Sequence, residues 1–173
     1  SLNVGDNRII VNAMEPRGAY AEWDGSRLHV AFNGQGVWGL KGDMARVFGL
    51  DEANVRVTNP DVGGGFGMKA APYPEYFAIA FAAMKLGQPV RWMSDRTEAM
   101  LSDHAGRDLV TMAELAFDAE NRITAYRVHT LCNLGAYNSN FGQAIQSILF
   151  AKVLTGTYDI QNAWMRCEGF YTN

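Results

Sequence analysis

An α+β fold, a mixed sheet with helices packed on it, is what this 173-residue sequence predicts, and three observations carry the prediction. Two stretches alternate apolar and polar residues about tight turns, at Asp24-Gly25 and around "DAEN" (118–121), as hairpins do. Two others, 37–48 and 73–87, show helical patterns that close on a glycine. The elements follow no regular strand–helix–strand alternation, which favours an α+β sheet-and-helix domain.

Taken in order, "NRIIVNAM" (7–14) mixes β-branched and polar residues and reads as a strand. Residues 19–23 and 27–32 form the first hairpin. Val37, Leu40, Met44, Val47 and Phe48 recur at helical spacing, with Gly49 as C-cap. "NVRVTNP" (54–60) is a short strand that runs into a glycine-rich loop. "YPEYFAIAFAAMKLG" (73–87) is a helix with Pro74 in its first turn, apolar nearly all round and so expected to be buried. "QPVRWMS" is a strand, and "DRTEAMLS" a short helix with Asp95 as N-cap and Glu98 three residues on. "DLVTMAELAFDAENRITAYRVHTLCNLGAY" is a long hairpin, "AIQSILFAKVL" a helix and "NAWMRCEGFY" a last strand.

The length fits one domain, or two small lobes sharing a core. A composition of 48% hydrophobic and 19% charged residues is that of a globular chain, and a net charge of −3 offers nothing to nucleic acid or to an anionic membrane. No apolar run is long enough for a bilayer; the longest, 78–83, is far too short. Cys132 and Cys167 stand far apart in the sequence, in no zinc or disulfide spacing. Two stray thiols without a signal sequence fit a reducing cytoplasm. An end at "GFYTN", with no helix cap or polar tail, reads as a piece excised from something longer.

Chemistry concentrates at "DVGGGFGMKA", where Gly63, Gly64, Gly65 and Gly67 surround Phe66. So much bare backbone is costly to order and suggests that something approaches it closely. A phosphate loop would need glycine directly before the lysine and Ser or Thr after it, but Met68 intervenes and Ala70 follows Lys69. The dinucleotide fingerprint lacks its third glycine, because position 68 is Met. A generic anion- or cofactor-approaching loop stays open, as does a tight turn where two backbones cross. Gln35, in "FNGQG" between a strand and a helix, can present an amide donor. His104 and Arg107 in "SDHAGRD" are expected in helix-end solvation or ion pairs with Asp103 or Asp108. His29 and His129 are expected on the surface, Asp95 and Glu98 in capping, and "EPRG" (15–18) in a turn. No Ser/His/Asp or Cys/His arrangement is readable, so any catalysis depends on a cofactor.

Several stretches match one family together: "NAMEPRGAYAEWDG", "NGQG", "DMARVFGL", "VRVTNPDVGGGFGMK", "GQPVRWMSDRTEAM", "NLGAYN" and "GFYTN". In this order and spacing they resemble the molybdenum-cofactor-binding large subunit of the xanthine dehydrogenase, aldehyde oxidase and aerobic carbon monoxide dehydrogenase family, over essentially the whole chain. The resemblance implies that residues 1–173 are a single molybdopterin-binding lobe excised from a longer large subunit. It implies oxidative hydroxylation with oxygen from water and electrons leaving through iron–sulfur clusters to a flavin or other acceptor. Gly65, Phe66 and Gly67 would contact the cofactor, a molybdopterin in its cytosine dinucleotide form, and the Gln35 amide would hydrogen-bond an oxo ligand of the metal.

The resemblance assigns no catalytic residue and no metal ligand to this chain, since the family's general-base glutamate lies downstream. The isolated lobe is expected to be inactive, without bound cofactor and without iron–sulfur or flavin sites. Its partners would be the rest of the large subunit, iron–sulfur and FAD-binding subunits or domains, and a small-molecule substrate. Purine-oxidising relatives carry a glutamate where this chain has Ala70, which disfavours a purine and leaves an aldehyde, an N-heterocycle or carbon monoxide. The runner-up readings are a phosphate- or nucleotide-binding module using the Gly63–Gly67 loop, and a noncatalytic interaction domain.

Overall fold

A computed structural model describes residues 1–172. In chain order the strands and helices are β1 (Leu2–Asp6), β2 (Ile9–Ile10), β3 (Gly18–Trp23), β4 (Leu28–Phe32), α1 (Trp38–Phe48), β5 (Val55–Thr58), α2 (Pro74–Leu86), β6 (Val90–Met93), α3 (Arg96–Ser102), β7 (Ala105–Gly106), β8 (Leu109–Phe117) and β9 (Ile123–Gly135). A helical segment over 142–152 follows, with a π-helical middle at Ile145–Leu149, and β10 (Ala163–Tyr171) closes the series. The chain divides into two compact units, one built from Ser1–Ile10 and His104–Asn173, the other from Val11–Asp103. Mixed sheets with packed helices make the fold α+β.

The inserted unit carries a sheet in the order β5-β4-β3-β6, with β4 and β5 parallel and the other pairs antiparallel. Asp24 makes its hairpin turn by accepting from the Ser26 and Arg27 amides. Along β4, Leu28, Val30 and Phe32 point one way and are buried, and the register brings Ala21 and Ala19 beside Val30 and Phe32 on the same face. Helix α1 sets Leu40 and Met44 into that core, and α2 sets Tyr76, Ile79, Ala80 and Ala83. Both helices end on glycines in the left-handed region, Gly49 and Gly87. Asp95 caps α3 by accepting from the Glu98 amide.

Three expectations need correction here. Helix α2 buries one stripe only, and Phe81 and Leu86 are more than half exposed. The strand expected over 7–14 shrinks to Ile9–Ile10, because Ala13 is drawn into the core while Asn12 and the Met14 carbonyl serve the Arg96 guanidinium instead of a ladder. His29 is not a bare surface residue: its ring nitrogens bond Glu22 and Thr58 across the sheet face away from the helices.

The other unit is a sheet in the order β1-β8-β9-β10, with a small β2–β7 pair. β8 and β9 form the long expected hairpin, and β10 returns parallel to β9. On one face Glu114 pairs Arg127, and Glu168 takes both His129 and Arg166, so His129 too is partnered. The opposite face buries Val128, Thr130 and Cys132. Arg107 pairs with Asp6 at 3.6 Å, and Asp108 with Arg8 at 3.0 Å, in place of the neighbours expected from sequence. The two cysteines, distant in sequence, meet with their sulfurs 3.4 Å apart.

The inserted unit is organised around Arg17. Its side chain is fully buried, 2.5 Å from Asp103, forked onto Glu75 at 3.1 and 3.2 Å, and stacked 3.6 Å over the Tyr73 ring. Burial works against the guanidinium charge, but the hydrogen bonds and charges of Glu75 and Asp103 outweigh it and hold its pKa above the ordinary arginine value. Removing it strands the buried Asp103 carboxylate. Arg17→Ala should therefore cost about 3–5 kcal/mol of stability in urea denaturation, and Arg17→Lys should restore only part, since one ammonium cannot fork onto both carboxylates. A loss below about 1 kcal/mol would show that the carboxylates find other partners.

Candidate functional site

The glycine loop leaves β5 and is held by side chains from two other places in the same unit. Glu15, just ahead of β3, accepts from the Gly63 amide at 2.8 Å through Oε2, and its own amide donates to the Gly63 carbonyl at 3.2 Å. The same Oε2 receives the Lys69 ammonium at 3.0 Å. Lys69 is fully buried, which requires such a counter-charge. Burial pushes the Glu15 pKa up, but the Gly63 amide and the Lys69 ammonium outweigh it and hold the carboxyl below its usual 4.5. A buried lysine thus fixes the start of the loop.

Gln35 fixes its far end. The Gln35 main-chain N–H donates to the Lys69 carbonyl at 3.1 Å, and its side-chain Oε1 accepts from the Gly67 amide at 2.8 Å. With the carbonyl end so engaged, the Nε2 donor is what Gln35 offers a ligand. At Gly63 and Gly65 the loop between these ties has no room for a side chain. A Cβ on Gly63 would lie 2.5 Å from the Glu15 Cβ, and one on Gly65 would lie 2.6 Å from the Gln35 amide carbon. Gly67 has φ +88°, and nothing lies within 4 Å of where its Cβ would be. Phe66 itself adopts φ 53°, a conformation that costs a non-glycine residue of order 1–3 kcal/mol, and holds its ring 77% exposed. Behind the loop, Met68–Ala70 forms one 3₁₀ turn whose Met68 carbonyl accepts from the Tyr73 hydroxyl at 2.9 Å.

The expected site residues Gln35, Gly65, Phe66 and Gly67 therefore lie together in one unit. His104 and Arg107 belong to the other unit. Two contributors went unread in the sequence, Glu15 in "EPRG" and Lys69 in "GMKA". The signal available for Glu15 was a carboxylate beside a proline between two strand patterns, and for Lys69 a lysine that completed no known motif.

Comparison with known proteins bears on what such a loop serves. A family model described as the molybdopterin cofactor-binding domain matches residues 3–173. The nicotine 6-hydroxylase large subunit of Paenarthrobacter nicotinovorans is 38% identical over 171 residues, covering 96% of this chain and 21% of that protein. The carbon monoxide dehydrogenase large chain of Afipia carboxidovorans is 35% identical over 130 residues, 75% of this chain and 16% of its own. Among solved structures, quinoline 2-oxidoreductase from Pseudomonas putida 86 superposes with a TM-score of 0.89 at 28% identity, over 99% of this chain and 23% of that one. The chain spans about a fifth of the length of these relatives.

The Glu15–Lys69–Gly63 contact makes a pH prediction. Because the folded pKa of Glu15 lies below its unfolded value, the contact's stability is fully present above about pH 4.5 and is lost as pH falls through the lowered folded value. Melting temperature should fall on acidification below that point. In Glu15→Gln this acid-dependent part should be absent, and the variant should already melt lower at neutral pH, where Lys69 has lost its counter-charge. Parallel melting curves for the two proteins from neutral pH downward would refute the assignment.

Proposed function

The chain belongs to the family of molybdopterin cofactor-binding domains, and from that premise we propose that Gln35 and the Gly63–Gly67 loop form one wall of the molybdenum-cofactor site of a longer large subunit. The single observation that carries this reading is the closeness of Gly65 to Gln35, where any Cβ would strike the amide. Apart from Phe66 the loop is glycine, so that an oriented amide donor and bare backbone can face one ligand.

The residues present suit that group. The cofactor is anionic at its oxo and phosphate oxygens, and Gln35 Nε2 is a neutral donor that adds no titrating group. The Gly67 amide holds the Gln35 carbonyl and so keeps the donor end outward. Phe66 supplies an exposed ring as an apolar wall that excludes water. When bound, the cofactor supplies the redox centre of an oxidative hydroxylation that takes its oxygen from water.

The same reading gives the cytosine dinucleotide form of the cofactor, a general-base glutamate elsewhere in the large subunit, and iron–sulfur and FAD-binding partners. Its substrate is a small molecule with an electrophilic carbon. Ala70 offers no carboxylate at that position to hold a purine. Among aldehydes, carbon monoxide and N-heterocycles, the heterocycle is supported by the nicotine 6-hydroxylase large subunit, which matches 96% of this chain against 75% for the carbon monoxide dehydrogenase large chain. No helix among the described residues is long and apolar enough to cross a membrane; a cytoplasmic location is part of the proposal. The matches give no support to the nucleotide-binding or interaction-domain readings.

The test uses the full-length large subunit with its partners. Gln35→Ala should keep molybdenum and pterin content while turnover falls by about 10²–10³-fold, the usual effect of removing one preorganised donor. Gly65→Ala, which displaces Gln35, should lower the metal content itself, measured by elemental analysis. Both variants loading molybdenum and turning over like the parent would sink the proposal.

A further inference from the structure

We propose that Cys132 and Cys167 form a reversible dithiol–disulfide site, oxidised by low-molecular-weight disulfides that reach it through the cavity beside them. The inference is independent of the cofactor reading, since both residues and the cavity belong to the unit that lacks the glycine loop.

The geometry comes from the parallel pairing of β9 and β10. Cys132 lies opposite Gly169 and Cys167 opposite Thr130, so the two thiols sit on one diagonal of the same sheet face. Gly169, opposite Cys132, has the Leu134 side chain packed on it: a Cβ there would lie 2.8 Å from a Leu134 methyl. The sulfurs are 3.4 Å apart, and both cysteines are free. A disulfide needs about 2.05 Å, so closure draws the sulfurs together by roughly 1.4 Å.

Access is one-sided. Cys132 is 2% exposed, whereas Cys167 is only partly buried. Both line a cavity of about 250 Å³ together with Gln143, Gln146 and Ser147 from the helical segment above. Gln146 has a buried Oε1 without a hydrogen-bond partner. The Cys167 thiol donates to the Gln146 main-chain carbonyl at 3.3 Å, inside the π-helical turn. Burial, and then the neighbouring Cys167, push the Cys132 thiol up to about 12. Cys132 is therefore a poor first nucleophile, which leaves that role to Cys167. Among the described residues no group of three or more His, Cys, Asp or Glu side chains gathers here, which does not favour a metal site.

The chemistry is two thiol–disulfide exchanges. The Cys167 thiolate attacks one sulfur of the small disulfide, breaking its S–S bond and releasing one small thiol. Cys132, losing its proton, then attacks the Cys167 sulfur and displaces the second small thiol. Two protein thiols and one small disulfide become one protein disulfide and two small thiols, with the two protons carried away on the products. Oxidation also removes the donor that the Gln146 carbonyl holds.

The test incubates the protein with oxidised glutathione at mildly alkaline pH, alkylates remaining thiols, and maps unreduced peptides by mass spectrometry. The expected result is a Cys132–Cys167 linked peptide, loss of both alkylated thiols, and full reversal by dithiothreitol. Cys132→Ser should instead accumulate a glutathione adduct on Cys167 that does not resolve. Should that variant fail to fold, the wild-type peptide map decides alone. Both cysteines recovered alkylated, a lasting glutathione adduct on wild-type Cys167, or a link between two chains would each overturn the proposal.

Discussion

A lysine ammonium taken wholly out of water sets the conditions under which the loop of this protein can exist. An unpaired ammonium in that position would cost several kcal/mol, so Lys69 demands a carboxylate, and Glu15 is the one placed to answer. The answer has further effects. The oxygen that meets Lys69 also accepts from Gly63, which fixes where the loop begins, and the Lys69 carbonyl accepts from Gln35, which fixes what lies opposite its end. One buried charge therefore determines three backbone positions, and the glycine pattern follows from them as a consequence. Gly63 and Gly65 are the positions where the side chains of Glu15 and Gln35 leave no volume for a Cβ.

The orientation of Gln35 matters more than its presence. A free glutamine on a surface loop can present either end of its amide, at nearly equal energy. Here the Gly67 amide selects the oxygen, at a worth of about 1 kcal/mol for an ordinary hydrogen bond. The selection is compounded by Gly65, since the close packing of its backbone on the Gln35 side chain excludes other rotamers. The strain at Phe66 is of comparable size and is spent on placing a ring in solvent rather than in the core, which is the opposite of what stability alone would select. The loop gives up stability to keep an aromatic surface and a donor facing outward together. That combination is expected of a site rather than of a turn.

Much of the fold was legible because it rests on local rules. Turn chemistry at Asp24, the capping by Asp95, and Gly49 and Gly87 as helix ends each act over a few residues, and the sequence shows them directly. The site was legible in part. Gln35 and the glycines were found, through their order and through resemblance, but Glu15, Lys69 and Arg17 were not. Their partners lie 54, 58 and 86 positions away, and no periodicity encodes a pair at that distance. The same limit explains why Arg107 was given the wrong carboxylate and why two cysteines that looked unrelated share a contact. Helix α2 failed differently: its composition hid which face was inward, because alanine serves equally on either side. Only the large residues settle it, with Tyr76 and Ile79 in the core and Phe81 out.

The order of the chain suggests how so non-local a design assembles. The unit that carries the β1-β8-β9-β10 sheet is split in sequence, its first ten residues separated from the rest by the whole of the inserted unit. Closing a loop of about a hundred residues for the β1–β8 ladder alone would be slow, since contacts distant in sequence are repaid only after the intervening chain has been ordered. The short β2–β7 pair, with Ile10 opposite Ala105, brings together the points where the chain leaves this unit and returns to it. Once residues 11–103 have folded, that distance is no longer a random-coil closure but a short step from a fixed pair of ends. The β1–β8 pairing then behaves as a nearly local contact. Within the inserted unit the element that must form for this to happen is the Arg17 cluster, because it joins the start of β3 to Ser102 and Asp103 at the unit's last residues. The same buried cation that stabilises the unit therefore also brings its two ends together, and the split sheet can be completed on them.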